Sequence, residues 1–360
     1  MPLTLRLLRA GLASIVAVAA FGALAALALD STSTLAAATT TTLSPTFNGP
    51  TGVTVAGGDV WVTNVAGNSL TELSATTGAV VRVVAGSATG FNEPYGVSVA
   101  ARRVWVTNQT NNAVTELNAV TGAVLRLITG NSLSGPAGVV ATDQRVWIAD
   151  QLHLTDGAGN SITDSNAVTE LNAATGTLVL AVTGNATNQL EGTNAVAVGD
   201  GHVWVTNANA NSVTELSAAT GRLVRVIAAP LDRFSNPQSI VLSGADLWVT
   251  SATSNVVTEL NAASGALVRV LAAPLDRFDG PTGIAVAAGH VWVTSPYNNT
   301  VAELSAATGR LVRVIGAAHG RLNAPTGVAV AAGHVWVTNQ FANSVTELSA
   351  ASGALVRVVG

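Results

Sequence analysis

The sequence predicts an all-β fold: a seven-bladed β-propeller with four antiparallel strands per blade, the blades in phase and closed without strand exchange. Two observations predict it, a single tryptophan in each repeat unit and four short β-branched runs around that tryptophan. The seven tryptophans of the 360-residue chain are Trp61, Trp105, Trp147, Trp204, Trp248, Trp292 and Trp336. The last four are spaced by 44 residues, a length typical of one propeller blade.

The last unit displays the four predicted strands most clearly. They are GVAVA at Gly327–Ala331, HVWVTN at His334–Asn339, SVTELS at Ser344–Ser349 and ALVRVV at Ala354–Val359. Each run is rich in β-branched residues and is bounded by turn formers. The seven units begin near Pro50, Pro94, Pro136, Thr193, Pro237, Pro281 and Pro325. Because unit 1 starts with a first strand and unit 7 ends with a fourth, we expect blade 7 to close against blade 1 by packing alone, without pairing by the Thr39–Thr42 segment.

The segment before the repeats has a different character. Arg6 and Arg9 precede an uncharged apolar run at residues 10–29, and small residues follow at Ala36–Ala38. This pattern predicts a signal peptide over residues 1–38, a linker over 39–49 and the propeller over 50–360. The apolar run is also long enough to span a bilayer, so a retained N-terminal membrane anchor is the alternative. The predicted location is therefore secreted or extracytoplasmic, or membrane-anchored if residues 10–29 remain.

The composition excludes several classes of protein. The chain is 48% hydrophobic and only 10% charged, which is not the composition of a disordered polymer. It contains no cysteine, so disulfides and thiolate metal sites are excluded. The formal net charge is −4 and no segment concentrates basic residues, so a nucleic-acid partner is not expected.

The unit G-V-x-V…VWVTN…NSVTEL-S-A-x-T-G-x-L-V-R-V resembles the YVTN-type β-propeller repeat, which is related to NHL-type and streptogramin-lyase-like propellers. The resemblance covers roughly residues 45–360. It implies that the first strand of each unit is innermost and that a ligand binds near the axis, on the face formed by the second-to-third and fourth-to-first strand loops. It also implies one enzymatic alternative, a metal-dependent lyase with His and Glu near the axis.

Three recurrent side chains have structural interpretations. The tryptophan of the second strand is expected to fill the interface between blades. His202, His290 and His334 precede that strand in three units, where they are interpreted as solvated turn residues too far apart to share a metal. Glu in the third strand and Arg in the fourth predict an ion pair at the outer edge of each blade, with Glu170 the exception because Leu180 replaces its Arg.

Candidate ligand-binding residues lie on the predicted loop face. Four are asparagines that end the second strand, namely Asn64, Asn108, Asn207 and Asn339. Their alternative role is local, because Asn tolerates left-handed backbone and caps its own turn. The other four are Asp150, His153, Asp156 and Asp164, in a unit 3 loop that is longer than those of the other units. Such loops are often functional. The Asp150–Asp164 loop also raises the alternative of calcium binding, although it lacks EF-hand spacing.

No catalytic or metal-binding residue can be nominated from the sequence, since no Ser-His-Asp or Cys-His arrangement is present. The sequence therefore favours an exported, non-catalytic propeller that acts as a binding scaffold through its loop face. The alternatives are a metal-dependent streptogramin-lyase-like enzyme and a membrane-tethered sensor domain. The expected partner is a glycan, a cell-wall component or a protein, and a membrane contact is expected only if residues 10–29 remain as an anchor.

Overall fold

The computed structural model describes residues 46–151, 153–155, 161–164, 166–228, 233–272 and 278–360, with only the backbone of 153–155 and 161–164. These residues form seven four-stranded antiparallel sheets, which confirms the predicted seven-bladed β-propeller. The first strands of successive blades contact one another around a central axis, and the fourth strand of each blade lies at the outer edge.

The first three blades contain the following strands. Blade 1 consists of β1 Pro50–Ala56, β2 Asp59–Asn64, β3 Ser69–Ser74 and β4 Val80–Ala85. Blade 2 consists of β5 Pro94–Ala100, β6 Arg103–Asn108, β7 Ala113–Asn118 and β8 Val124–Thr129. Blade 3 consists of β9 Pro136–Ala141, β10 Arg145–Asp150, β13 Ala167–Asn172 and β14 Leu178–Thr183. Between β10 and β13 the chain forms a separate two-stranded hairpin, β11 His153–Thr155 and β12 Ser161–Asp164.

The remaining blades follow the same order. Blade 4 consists of β15 Thr193–Gly199, β16 His202–Asn207, β17 Ser212–Ser217 and β18 Leu223–Ala228. Blade 5 consists of β19 Pro237–Ser243, β20 Asp246–Ser251, β21 Val256–Asn261 and β22 Leu267–Ala272. Blade 6 consists of β23 Ile284–Ala287, β24 His290–Ser295, β25 Thr300–Ser305 and β26 Leu311–Gly316. Blade 7 consists of β27 Pro325–Ala331, β28 His334–Asn339, β29 Ser344–Ser349 and β30 Leu355–Val359. Within the described residues, two short helical turns, a 3₁₀ turn at Ser87–Thr89 and α1 at Ala317–Gly320, lie between blades.

The tryptophans form the core of the blade interfaces, as the sequence predicts. All seven are at most 2% exposed. Each packs into an apolar cluster with residues of the following blade: Trp61, for example, lies with Val99, Val104 and Val106. Burying a ring of this size contributes several kcal/mol, and truncating one to alanine typically costs about 3–5 kcal/mol. The ring is therefore held chiefly by seven similar apolar interfaces.

Blade 7 closes the ring without strand exchange, which confirms the predicted phase. Strand β30 pairs with β29 and supplies the outer strand of blade 7 from the C-terminal end of the chain. Trp336 packs against Val55, Val60 and Val62 of blade 1. The Thr39–Thr42 segment, where strand exchange would have to occur, lies outside the described residues.

A further apolar position, which the strand pattern does not reveal, recurs three residues before the start of each unit. Phe47 in the predicted linker is only 1% exposed and packs with Trp336. The equivalent residues are also buried: Phe91, Leu133, Leu190, Phe234, Phe278 and Leu322. These buried side chains fix the segments that connect one blade to the next. The loops that precede each first strand are therefore held in defined positions.

Close packing near the axis explains the glycines of the first strands. A Cβ on Gly52 would lie 2.4 Å from the carbonyl oxygen of Tyr95 in the next blade, and one on Gly96 would lie 2.4 Å from that of Ala137. No side chain fits at such distances, so glycine permits neighbouring first strands to approach each other.

Candidate functional site

The loop face is the side of the ring where second-to-third strand turns meet the segments that enter the next blade. One asparagine in each of these turns joins the two. Asn68 Oδ1 accepts a hydrogen bond from Glu93 N at 2.8 Å, and Asn343 Oδ1 accepts one from Gly49 N at 2.8 Å across the ring closure. The same bond is made by Asn112, Asn166, Asn211, Asn255 and Asn299. These asparagines hold neighbouring blades together and fix the framework of the loop face.

The four candidate asparagines lie one layer below this surface. Asn64, Asn108, Asn207 and Asn339 are each 0% exposed. Their side-chain amides donate to third-strand hydroxyls: Asn64 Nδ2 lies 2.9 Å from Thr71 Oγ1, and Asn207 Nδ2 lies 2.8 Å from Thr214 Oγ1. A ligand on the loop face would meet the turns above these groups first, so any direct contact by them stays a prediction.

Asp150 occupies the same position in blade 3 and is likewise 0% exposed. Thr169 Oγ1 donates to its Oδ2 at 2.6 Å, and Ser134 N donates to its Oδ1 at 3.3 Å. Burial raises the pKa of Asp150 from its ordinary 3.8 to about 7, and these two hydrogen bonds offset only part of the shift. The β11–β12 hairpin therefore starts next to a buried carboxyl that titrates close to neutral pH.

The other three candidates of blade 3 lie in the hairpin itself. The backbone of His153 is paired with that of Asp164 in the β11–β12 ladder. Their side chains, and Asp156 as a whole, lie outside the described residues. Calcium binding by this loop therefore remains a prediction. Within the described ranges, no group of three or more His, Asp or Glu side chains is placed to hold a metal ion.

A threonine near the end of the second strand bonds adjacent blades close to the axis. Thr63 Oγ1 accepts from Gly52 N at 2.9 Å and donates to Tyr95 O of the next blade at 2.7 Å. Equivalent bonds to the next blade are made by Thr107, Thr250, Thr294 and Thr338. Blade 3 has Ala149 at this position and cannot make the bond.

The histidines before the second strand contact the buried Glu–Arg ion pairs near the opposite rim. The carboxylate of Glu347 lies 2.6 Å from His334 Nδ1 and 2.7 Å from Arg357 Nε. The same arrangement surrounds Glu215 and Glu303. The predicted Glu–Arg pairing is thus confirmed, but the Glu side chains are buried rather than edge-exposed. The prediction of solvated turn residues is therefore only partly right, because each His is 36–40% exposed but begins the second strand and contacts the buried carboxylate.

Blades without a histidine fill that position differently. Arg145 pairs with Glu170 at 3.2 Å, so this Glu has a partner although Leu180 replaces its fourth-strand Arg. Blades 1 and 5 place Asp59 and Asp246 there instead. In these blades burial raises the pKa of Glu72 and Glu259 to about 7, Arg82 and Arg269 lower it in part, and the nearby Asp raises it further. The cluster stabilises each blade but faces away from the loop face.

Neutral polar groups surround the axis at the loop face. The second residue of each unit lies at the loop-face end of the innermost strand, within that strand in six blades and just before β23 in blade 6. This set is Thr51, Tyr95, Ala137, Asn194, Gln238, Thr282 and Thr326. Asn194 Nδ2 donates to Gln238 Oε1 at 2.9 Å across one blade junction. Apart from Ala137, this set consists of hydroxyl, amide and phenol side chains, and it carries no formal charge.

The comparisons with known proteins agree with the fold. A sequence model of the family described as "Outer membrane protein assembly factor BamB" matches residues 131–358. The chain belongs to this propeller-repeat family. The match begins ahead of β9 and extends into β30. Membership of this family confirms the expectation of a propeller-repeat protein. No curated protein matches the chain significantly.

Solved structures similar to this family member show the same fold. Hydrazine synthase of Kuenenia stuttgartiensis is 17% identical with a TM-score of 0.70, covering 86% of this chain and 97% of that chain. A streptogramin B lyase is 18% identical with a TM-score of 0.66, covering 83% and 93%. A functionally unknown protein from Desulfotomaculum acetoxidans DSM 771 is 15% identical with a TM-score of 0.66, covering 83% and 94%. At such identities the similarity concerns the fold alone.

Proposed function

We propose that this protein is exported and acts as a non-catalytic binding scaffold whose ligand lies on the loop face. The observation that carries the proposal is the β11–β12 hairpin, an addition to one blade of an otherwise regular ring. Repeated loops of a propeller are set by the needs of packing, whereas a single long insertion has no counterpart to pack against in the other blades. Insertions of this kind on rigid scaffolds often carry binding function.

The contrast between the repeated polar residues and the exposed ones supports the same proposal. The repeated Asn, Thr, Glu, Arg and His side chains are engaged in bonds within or between blades. The side chains that remain exposed on the loop face differ from blade to blade, and a specific binding surface requires such differences. The family name supports export, because an outer membrane assembly factor works outside the cytoplasm. Among the described residues, none belongs to a helix long and apolar enough to cross a membrane.

Binding through the loop face is tested by a pair of variants. In the first, residues 151–166 are replaced by Ala-Asn-Ala-Asn, the turn that follows Asn207 in blade 4. The control changes exposed turn residues of the opposite rim, Arg102→Ser and Asp200→Ser. Purified proteins are screened against immobilised glycans, cell-wall fragments and extracytoplasmic proteins. We expect the first variant to lose at least one ligand that wild type and control retain. Equal retention by both variants, or loss only in the control, would contradict the proposal.

Export and catalysis are tested separately. We expect the protein in fractionated cells to be extracytoplasmic with residues 1–38 removed, as mass spectrometry of its N-terminus would reveal. An intact N-terminus in the membrane fraction would support the tethered-sensor alternative instead. Lyase activity that is abolished by EDTA and restored by magnesium would overturn the non-catalytic part of the proposal.

A further inference from the structure

Two aromatic side chains are exposed on the loop face, in contrast to every other Phe and Trp among the described residues. Tyr297 is 77% exposed and Phe341 is 74% exposed, whereas the seven tryptophans and Phe47, Phe91, Phe234 and Phe278 are buried. Leaving a ring of this size in water forgoes about 1.5–3 kcal/mol that burial would contribute. The two rings occupy equivalent positions in blades 6 and 7, two residues after the end of the second strand.

The loop between blades 6 and 7 connects these two positions. Ala324 N donates to Asn299 Oδ1 at 2.7 Å, which ties the loop to the turn of Tyr297. Gln340 N donates to Ala324 O at 3.1 Å, which ties the same loop to the turn of Phe341. The loop thus adjoins both turns, while the Tyr297 ring itself lies against Gly280 in the segment that enters blade 6.

This loop also carries an exposed guanidinium. Arg321 is exposed, and within the described part of the chain its side chain makes no ion pair. Its backbone is left-handed, with φ at 50°, so the residue sits at a sharp turn of the loop. Exposed amides of Asn298 and Asn323 lie in the same segments. We call Tyr297, Arg321 and Phe341 the aromatic–arginine surface.

We propose that the aromatic–arginine surface binds an acidic glycan, a polysaccharide that carries uronic acid carboxylates; this rests on the proposed binding role of the loop face. The apolar face of a sugar ring packs on the electron-rich face of an aromatic side chain. Amide groups both donate to and accept from sugar hydroxyls. The guanidinium pairs with a carboxylate through two parallel hydrogen bonds.

The distribution of apolar groups favours a sugar over a membrane or a protein interface. Insertion into a bilayer or the core of a protein interface requires a contiguous apolar patch. Here the two rings are separated by a polar loop that carries an arginine and exposed amides. Isolated rings set among polar groups match a ligand that is itself alternately apolar and polar.

The repeat supplies a matched control within the same molecule. Arg233 occupies the position of Arg321 in the loop between blades 4 and 5, is also exposed, and has a φ of 53°. The equivalent turn positions on either side of it are Asn209 and Thr253, which carry no ring. An arginine in the same backbone setting but without aromatic neighbours should not bind a sugar.

The test measures binding of the full chain to oligomers of polygalacturonate, alginate and hyaluronate by calorimetry. Carboxyl-reduced oligomers, polyacrylate and phosphatidylglycerol vesicles serve as comparison ligands. We expect binding to at least one acidic oligomer, a loss of tenfold or more in Tyr297→Ala/Phe341→Ala, and a change of less than twofold in Arg233→Ala. Arg321→Ala should bind the acidic and the reduced oligomer equally. The urea midpoints of all variants should equal that of wild type, because the altered groups are exposed.

Several outcomes would overturn the assignment. They are no binding to any of the three acidic oligomers, binding that the double aromatic variant retains, or binding to polyacrylate or vesicles as tight as to the glycan. The variant with residues 151–166 replaced separates this proposal from the preceding one. Loss of a ligand there, with no effect of the aromatic variant on any ligand, would leave the loop-face function standing and remove the glycan assignment.

Discussion

The junction between blades 3 and 4 differs from the junction that closes the ring between blades 7 and 1. At the closure, Thr338 Oγ1 donates to Thr51 O at 2.8 Å near the axis, and Arg357 donates to Thr76 O at 3.5 Å near the outer edge. Blade 3 has Ala149 and Leu180 at these two positions, so both donors are missing. What the junction retains is the bond from Gly192 N to Asn166 Oδ1, at 2.9 Å.

The two junctions show where the fold tolerates the loss of polar bonds between blades. The closure joins residues nearly 300 positions apart and keeps every repeated contact, which is why no strand exchange is required. Blade 3, which carries the hairpin insertion, has lost two of the three polar links to its successor. Thr193 Oγ1 compensates in part by donating to Asp150 O at 2.6 Å. Packing of Trp147 against Leu190, Val196 and Val203 accounts for most of the remaining cohesion.

The largest expected effect is on Trp147. We expect Trp147→Ala to lower the free energy of unfolding toward the upper end of about 3–5 kcal/mol, and Trp105→Ala toward the lower end, because the junction between blades 2 and 3 retains its polar links. Urea unfolding followed by circular dichroism measures both. A loss at Trp147 that is no greater than at Trp105 would show that the missing donors do not weaken the junction.

The next effect concerns the buried carboxyl of blade 3. Asp150→Asn introduces the residue that blades 1, 2, 4 and 7 already have, and its amide can donate to Thr169 as that of Asn64 does to Thr71. We expect the free energy of unfolding at pH 8, measured with urea, to rise by about 1–3 kcal/mol, because a buried charge is removed.

The sign of the pH dependence follows from the pKa. The pKa of Asp150 is about 7 in the folded protein and its ordinary value is 3.8, so between these values the folded state holds a proton that the unfolded chain has released. Its contribution to the free energy of unfolding therefore falls as the pH rises through this window. The difference between Asp150→Asn and wild type should grow from pH 4 to pH 8. A difference that is constant across this range would contradict the buried-charge explanation.

Removing an inner donor elsewhere should make another junction resemble that of blade 3. Thr294 Oγ1 accepts from Gly283 N at 2.8 Å and donates to Thr326 O at 2.6 Å, and Thr294→Val removes both bonds without changing the size of the side chain. We expect a loss of about 1–2 kcal/mol in urea unfolding. Thr253→Val, at an exposed turn position, is the control, and an equal loss there would refute a specific role for the inter-blade bond.

The smallest effect is expected when the donors are restored in blade 3. Ala149→Thr combined with Leu180→Arg should add an inner bond and an outer pair to Glu170, as in blade 2, where Glu116 contacts both Arg103 and Arg126. We expect the free energy of unfolding, measured by urea unfolding, to rise by about 0.5–1 kcal/mol. If the double variant is destabilised, the packing of Leu180 against Gly221 matters more than the missing bonds.

Much of the fold could be predicted from the sequence. The spacing of the tryptophans predicts the blades, and the β-branched runs predict strand bounds that differ by only one or two residues in blade 7. The pairing of Glu347 with Arg357 could also be predicted, since short turns place the two strands side by side. The candidate site was predicted less well, because the asparagines that end the second strand are buried whereas Asn68 and its equivalents bond to the next blade.

The reason is the range of the interactions. Strand patterns, turn residues and the spacing of repeats are local properties of the chain. The sequence by itself therefore determined the number of blades, the strand order and the tryptophan interfaces. Whether a polar side chain is buried, paired or free depends on the surface of the next blade. That surface is contributed by residues some forty positions away, or by the far end of the chain at the closure. Only the tertiary structure therefore decided that His334 contacts the buried Glu347 carboxylate, that Ala149 leaves a junction without its donor, and that Tyr297 and Phe341 remain exposed.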